Sequence, residues 1–367
     1  MKTIPPAGDK EASKRRLKHC ADSGLLRHAI ATENGGHGDN FSDLVKQHEL
    51  LGKSTQDSGL ILSINAHLWG SIFPLLNYGT PEQHKTYLQK LLSAQFIGGH
   101  AITEPQAGSD LAALTTSAEK NGEDFVLNGH KTYITNTPIA DILVVYARLD
   151  EKLSAFIIHA DDPGARFLIG PEVTGCKTAT MGDVVLENCV IPTSRQLGKT
   201  GAGNMMIQQA LELERAFIFA GLSGIMNWQL QTVIDHSRQR MINDAHLGKN
   251  QAISHKIAEM KLRLDSIGLW LNECARLKDN QQRITLASAQ VKLFAAEAFL
   301  QSSMDAVQIL GTSGLESDNI MATLVSDALA SRLFSGSSEI QKNIIAALLG
   351  TGDGYKSIGQ RALKNPI

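Results

Sequence analysis

One acidic residue in this chain stands where an acid is hardest to keep. In the run Leu211-Glu212-Leu213-Glu214-Arg215, counting three and four residues either way from Glu214 reaches Ala210, Leu211, Phe217 and Ile218, all apolar. In a helix Glu214 therefore lies on the buried stripe. Glu212 instead neighbours Gln208, Gln209 and Arg215, the pattern of a solvated face. A carboxylate drawn out of water, with no cation within one turn on its face, becomes more basic and suits a general base working near neutrality. By spacing alone a second reading stands beside it, in which both glutamates are surface residues of an ordinary amphipathic helix.

A second stretch offers ligand contacts. Residues 101–110 read AITEPQAGSD, in which Pro105 lacks an N–H, Gly108 permits close approach, and Thr103 and Ser109 place hydroxyls on an irregular backbone. Such a segment can hold a polar ligand, although Gly, Ser and Asp after Pro, taken alone, make an ordinary turn. Further on, Asn128-Gly129 marks a hairpin turn, and the alternating run Lys131-Thr132-Tyr133-Ile134-Thr135-Asn136 reads as a strand.

The elements that must position these residues follow from periodicity. Residues 1 to about 11 are polar and predicted to be loosely held; a short helix is predicted over 13–26, a glycine-rich turn over 33–38, and helices over 42–53 and 58–78. The last of these carries Asn65, His67 and Trp69, and His67 reads either as a hydrogen-bonded core histidine or as part of a pocket wall. Thr80 and Pro81 start another helix as cap and first-turn residue. Between 97 and 204 the pattern changes to short β-rich runs separated by Gly, Asn, Asp and Pro, which predicts a small barrel or sandwich. Helical spacing then returns, with four long helices predicted over 205–241, 251–278, 281–310 and 323–349 and a break at 311–318.

Composition narrows the function classes. The chain has 367 residues, 35 basic against 37 acidic side chains and a formal charge of −2, so no basic stripe points to nucleic acid or an anionic membrane. Two or three subdomains are expected at this length. Cys20, Cys176, Cys189 and Cys274 are scattered without C-x-x-C spacing, which predicts reduced thiols in a cytoplasmic protein and no zinc site. No apolar leader and no stretch of membrane-spanning length is read from the sequence.

The AITEPQAGSD loop and the Lys131–Asn136 strand, in this order and at this spacing, resemble the TEPxAGSD-type loop and K-x-W/Y-I-T-N strand of the acyl-CoA dehydrogenase superfamily. The likeness extends from about Gly24 to Gly350. It implies an α+β fold with an N-terminal α-helical domain (1–96, without the family's first helix), a small middle β-barrel or sandwich domain (97–204) whose far edge is closed by a loop at 183–192, and a C-terminal four-helix bundle (205–367). The implied cofactor is FAD, held by Ala101, Ile102, Thr103, Gly108, Ser109, Tyr133 and Thr135. Arg240, and Gln308 with Gly311 in a Q-x-x-G segment, match positions that reach FAD across a subunit interface, which implies a homodimer or homotetramer. Met241-Ile242-Asn243-Asp244 departs from the usual aromatic-glycine pair after Arg240. Ser337 and Glu339 take the places of the usual Thr and Gln on FAD, and the charge of Glu339 would disfavour a nearby phosphate.

The family's reaction removes a proton from the α carbon of an acyl thioester to a carboxylate and a hydride from the β carbon to the flavin. Many members place that carboxylate in a Y-E-G-T segment, where this chain has Ser335; the alternative family position, just before an arginine on the first helix of the bundle, falls on Glu214. Asn65, His67, Ser109, Arg215 and Ser335 are the residues implied around the substrate. The run Phe334-Ser335-Gly336-Ser337-Ser338-Glu339-Ile340-Gln341-Lys342, together with the shifted glutamate, is similar to the branch that oxidises aminoacyl groups tethered to a carrier protein. Its phosphopantetheine lacks the adenine nucleotide of CoA, and no basic cluster in the sequence supplies a CoA 3′-phosphate site. An ordinary short- or branched-chain acyl-CoA dehydrogenase and a non-catalytic flavin-binding or scaffold paralogue are the competing readings. The electron acceptor is an electron-transfer flavoprotein or oxygen.

Overall fold

The structure, a computed structural model, describes residues 9–352. In chain order its helices are α1 (Lys10–Asp22), α2 (Phe41–Thr55), α3 (Ser58–Tyr78), α4 (81–92), α5 (Gly203–Gln239), α6 (Gln251–Asp279), α7 (Thr285–Leu310), α8 (Ile320–Ser331) and α9 (Ser338–Leu348). Its strands are β1 (His100–Ala101), β2 (Ser117–Asn121), β3 (Asp124–Thr135), β4 (Ile142–Leu149), β5 (Lys152–His159), β6 (Ala165–Ile169), β7 (Met181–Pro192), β8 (Gln196–Leu197), β9 (Met241–Ile242) and β10 (Ala245–His246).

These elements fold into two compact units. Among the described residues the first holds 9–40, 59–173 and 177–214, and the second holds 41–58, 174–176 and 215–352. The helix α5 starts in the first and continues in the second, with the boundary between Glu214 and Arg215.

The first unit is built on one sheet in the order β6-β7-β3-β2-β4-β5-β8, with β1 pairing β4 in parallel. Alternation along each strand sends Phe125, Leu127, Ile134, Val145, Phe156, Ile158, Val184, Leu186 and Ile191 to a common core. The segment 183–192, expected as a loop, is most of the strand β7, because its alternating apolar residues fill that core while the strand pairs with β3 and β6. Asn128-Gly129, expected as a hairpin turn, lies inside β3 at a register shift against β7; Asn128 accepts a hydrogen bond from the Asn188 N–H there. The hairpin turn between β2 and β3 comes earlier, at Gly122, whose φ of +61° suits glycine.

The segment to about residue 11, expected to be loose, lies in part outside the described residues; Asp9 caps α1, which begins at Lys10. The helix α3 is long and apolar enough to cross a membrane, contrary to the reading from sequence, but 94% of its apolar window is buried inside the protein, where it serves as a core helix. Its middle, Leu68–Ile72, is π-helical.

In the second unit α2 crosses α5 closely enough for backbone contact. A Cβ added at Gly52 would lie 1.8 Å from the Gly221 carbonyl oxygen, and one at Gly224 would lie 2.0 Å from that of Glu49. Gly224→Ala is therefore expected to lower stability by about 1–3 kcal/mol by forcing the helices apart; chemical denaturation with an unchanged midpoint would show that they separate freely. The helix expected over 323–349 is two helices, α8 and α9. Ser335 (φ +55°) and Gly336 (φ +90°) turn the chain between them, and Ser337 caps α9 by accepting from the Ile340 N–H.

Candidate active site

The loop after β1 owes its shape to a buried ion pair in the first unit. The Glu104 carboxylate accepts from Lys131 Nζ at 2.7 Å, the Thr115 N–H at 2.7 Å, the Thr116 N–H at 3.0 Å and Gln106 Nε2 at 2.7 Å. Lys131 Nζ also donates to the Ile102 carbonyl at 3.0 Å. Burial by itself would raise the Glu104 carboxyl, but the Lys131 ammonium and the threonine donors hold it down at about 2. With its middle anchored this way, the loop presents Gly108, Ser109 and Asp110 to solvent, and a Cβ at Gly108 would meet nothing within 4 Å.

The strand β3 meets this loop through the Thr132 N–H, which donates to the Thr103 carbonyl. A second register shift, between Lys131 and Ile134, re-aims the strand. It puts Tyr133 in a left-handed conformation (φ +55°), 55% exposed, with Ile134 buried and Thr135 half-buried beside it. Ala101 and Ile102 are buried, and Thr103 is half-buried.

Several buried polar atoms of the first unit have no hydrogen-bond partner among the described residues: Ser63 Oγ, Ser71 Oγ, His100 Nδ1, Asn136 Oδ1 and Thr180 Oγ1. Three of these residues are linked through Asn136, whose Nδ2 donates to the carbonyls of Ser63 and Gly98 and whose N–H donates to that of Thr180. Such groups normally find a partner, so a concentration of them next to Thr135 fits a site for a polar ligand. The three hydroxyls can donate to ring carbonyls and nitrogens, and Asn136 Oδ1 can accept from a ring N–H, a set that suits an isoalloxazine.

Glu214 is 5% exposed on α5; of the expected stripe, Ala210, Phe217 and Ile218 are buried and Leu211 is half-buried. Helical spacing did not disclose its neighbour in space: Nε2 of His100 on β1 lies 3.4 Å from Glu214 Oε2. His100 sits against the π-helical turn of α3, where a Cβ at Gly70 would come 3.0 Å from the ring's Cγ. Burial pushes the His100 imidazole below its ordinary value, against the field of Glu214, which raises it. The available sequence signal was a histidine directly ahead of the loop, at the first position of β1.

Other expected site residues are placed differently. Asn65 is fully buried, donating to the Ile61 carbonyl and accepting from Trp69 Nε1. His67 is fully buried too, with Nε2 at the Leu91 carbonyl and Nδ1 accepting from the Gly98 N–H. Both hydrogen-bond within the fold, in keeping with the core reading of His67. In the second unit Arg215, expected on a solvated face, is 9% exposed and donates through Nε to the Ser335 carbonyl at 2.9 Å. Ser337 and Glu339 open α9, with Ser337 as cap and Glu339 exposed in the first turn. Arg240, Gln308 and Gly311 are exposed. The unusual Asn243-Asp244 pair is a two-residue turn between β9 and β10, with φ of +46° and +60°, a conformation those residues tolerate.

Comparison with known proteins covers nearly the whole chain. The family profiles described as acyl-CoA dehydrogenase N-terminal, middle and C-terminal domains match residues 5–95, 99–189 and 201–350. An L-prolyl-[peptidyl-carrier protein] dehydrogenase of Pseudomonas fluorescens is 37% identical over 340 residues, covering 90% of this chain and 89% of that protein. The solved structure of the prolyl acyl carrier protein oxidase AnaB superposes with a TM-score of 0.90 at 35% identity, covering 93% of this chain and 91% of that one. PigA with FAD and proline superposes with a TM-score of 0.88 at 29% identity over 93% of each chain.

Proposed function

Since this chain belongs to the acyl-CoA dehydrogenase family, we propose that it is an FAD-dependent oxidoreductase that introduces an α,β double bond into an acyl or aminoacyl thioester carried by a peptidyl or acyl carrier protein. The observation that carries the chemistry is Glu214, a carboxylate withdrawn from water at the wall of a fold shared with prolyl-carrier dehydrogenases. FAD, when bound, supplies the acceptor for the β-hydride.

Glu214 removes the α proton, which is too weakly acidic to leave without a positioned base. Ser335, in the other family position, has a hydroxyl that does not retain a proton as a carboxylate does, so it does not take that role. Thr103, Gly108, Ser109, Tyr133 and Thr135 hold the ring system through hydroxyls and open backbone, with Ala101 and Ile102 behind them. The loop holding Ser109 also faces the thioester. Arg240, Gln308 and Gly311 meet the FAD of a neighbouring subunit, consistent with their exposure, and Ser337 and Glu339 take the places of the family's Thr and Gln on FAD. The working form is a homodimer or homotetramer. Cys20, Cys176, Cys189 and Cys274 are buried and form no disulfide among the described residues, which fits a reducing, cytoplasmic setting.

Titration of the FAD-loaded protein with thioesters tests the reading. Prolyl or related aminoacyl groups on a carrier protein are expected to bleach the yellow flavin absorbance, and free acyl-CoA is expected to leave it. Bleaching by acyl-CoA alone would make the chain an acyl-CoA dehydrogenase, and failure to acquire any flavin absorbance would make it a scaffold.

A further inference from the structure

We infer that His100 is a positioning residue for the Glu214 carboxylate, so that an imidazole on β1 and an acid on α5 work as one coupled pair. This deepens the function proposed above and rests on Glu214 being the base. The two groups come from elements distant in sequence, yet their side chains are only 13% and 7% exposed and approach to 3.4 Å.

The place for the imidazole is made by its surroundings. Gly70 in the π-helical turn leaves the space that the ring fills, since any side chain there would press on the ring and on the His100 backbone nitrogen, 2.7 Å from the added Cβ. With Nε2 facing a carboxylate, the hydrogen of the neutral ring belongs on that nitrogen. Nδ1 then remains an acceptor, and it has no partner among the described residues. His67 makes the contrast within the same unit, because both of its nitrogens are tied to backbone groups and its position needs no acid to explain it.

The electrostatic surroundings of His100 are simple. The turn packed against it, Leu68-Trp69-Gly70-Ser71-Ile72, contains no titratable acid or base, and the adjacent strand β4 pairs Val144 and Val145 with His100 and Ala101. The charge acting on the imidazole is that of Glu214, from α5. A pair so placed has reciprocal effects: the carboxylate favours the imidazolium, and the ring's Nε2–H favours the ionised carboxylate. The distance is long for a formed hydrogen bond and leaves room to tighten when substrate closes the site. His100 thus steers the reactive oxygen of Glu214.

Two measurements test this. In FAD-loaded protein carrying 15N-labelled histidine, the ring nitrogens of His100 are followed by NMR against pH. Glu214→Gln is expected to move the His100 midpoint down by at least about half a pH unit, since the charge that favours the imidazolium is gone. In kinetics, His100→Phe is expected to move the acid limb of kcat/KM up by about half to one pH unit, and His100→Gln, which keeps an N–H donor, to return most of that displacement. An unchanged His100 midpoint in Glu214→Gln would overturn the coupling, as would a His100→Phe activity that falls equally at every pH. Undiminished thioester oxidation by Glu214→Gln would overturn the base assignment instead, and the NMR midpoint would still report on the pair.

Discussion

Glu214→Gln is expected to fold, bind FAD with its ordinary absorbance, and lose thioester oxidation by roughly a hundredfold to ten-thousandfold, the range over which a positioned base accelerates proton transfer. The substitution is nearly isosteric, so the apolar surroundings of the side chain, with Ala210, Phe217 and Ile218 buried along the stripe, should keep their packing. It removes only the ability to hold the proton. The loss should fall on kcat and kcat/KM together, because the interaction is made as the proton moves and not when substrate binds. Rapid mixing with a carrier-bound thioester would show it directly as a slowed bleaching of the flavin. A variant that bleaches at the wild-type rate would move the base elsewhere, and Glu212, half-buried on the adjacent face, would be the next residue to replace.

Lys131→Met is expected to cost about 3–5 kcal/mol of stability, read as a lowered midpoint in thermal or chemical denaturation. Lys131 is fully buried and Glu104 nearly so, so removal of the ammonium leaves a carboxylate inside the protein without its cation. Replacing both, as Lys131→Met with Glu104→Gln, should recover a large part of that loss, since the uncompensated charge goes with the acid. Flavin affinity should fall with the single substitution as well, because the same pair holds the loop that carries Thr103, Gly108 and Ser109. If the single variant melts at the wild-type temperature, the ion pair is not what fixes the loop.

The pH dependence contributed by the Glu104 carboxyl has a definite sign. The Glu104 carboxyl is held at about 2 against an ordinary value of 4.5. Its contribution to stability is therefore complete above about 4.5 and is lost as pH falls toward about 2. Acid unfolding of the first unit should begin in that window.

Much of this protein was legible residue by residue. The apolar stripe around Glu214 located a buried acid because a helix repeats on a fixed angle, and the runs 125–127 and 142–146 located strands because β-branched and aromatic side chains favour extended backbone. The Thr80 cap with Pro81 was legible for the same local reason, and the structure contains it as a capping box with Gln83. Where chain neighbours compete with distant ones, local patterns misled. Asn128-Gly129 has the composition of a tight turn but sits within β3 at a bulge, because pairing with β7 outweighs local turn preference. The segment 332–337 breaks a helix that periodicity would continue, because Ser335 and Gly336 take left-handed conformations.

The sequence by itself determined that Glu214 leaves water, which loop and strand carry the hydroxyls, and the alternation of helical and strand-rich regions, since each depends on spacing along one element. Only the tertiary structure decided that His100 faces Glu214, that Asn65 and His67 serve the core, and that Arg215 turns inward to Ser335. Those facts depend on which elements meet in space, and contacts between residues far apart along the chain leave no periodic trace in it.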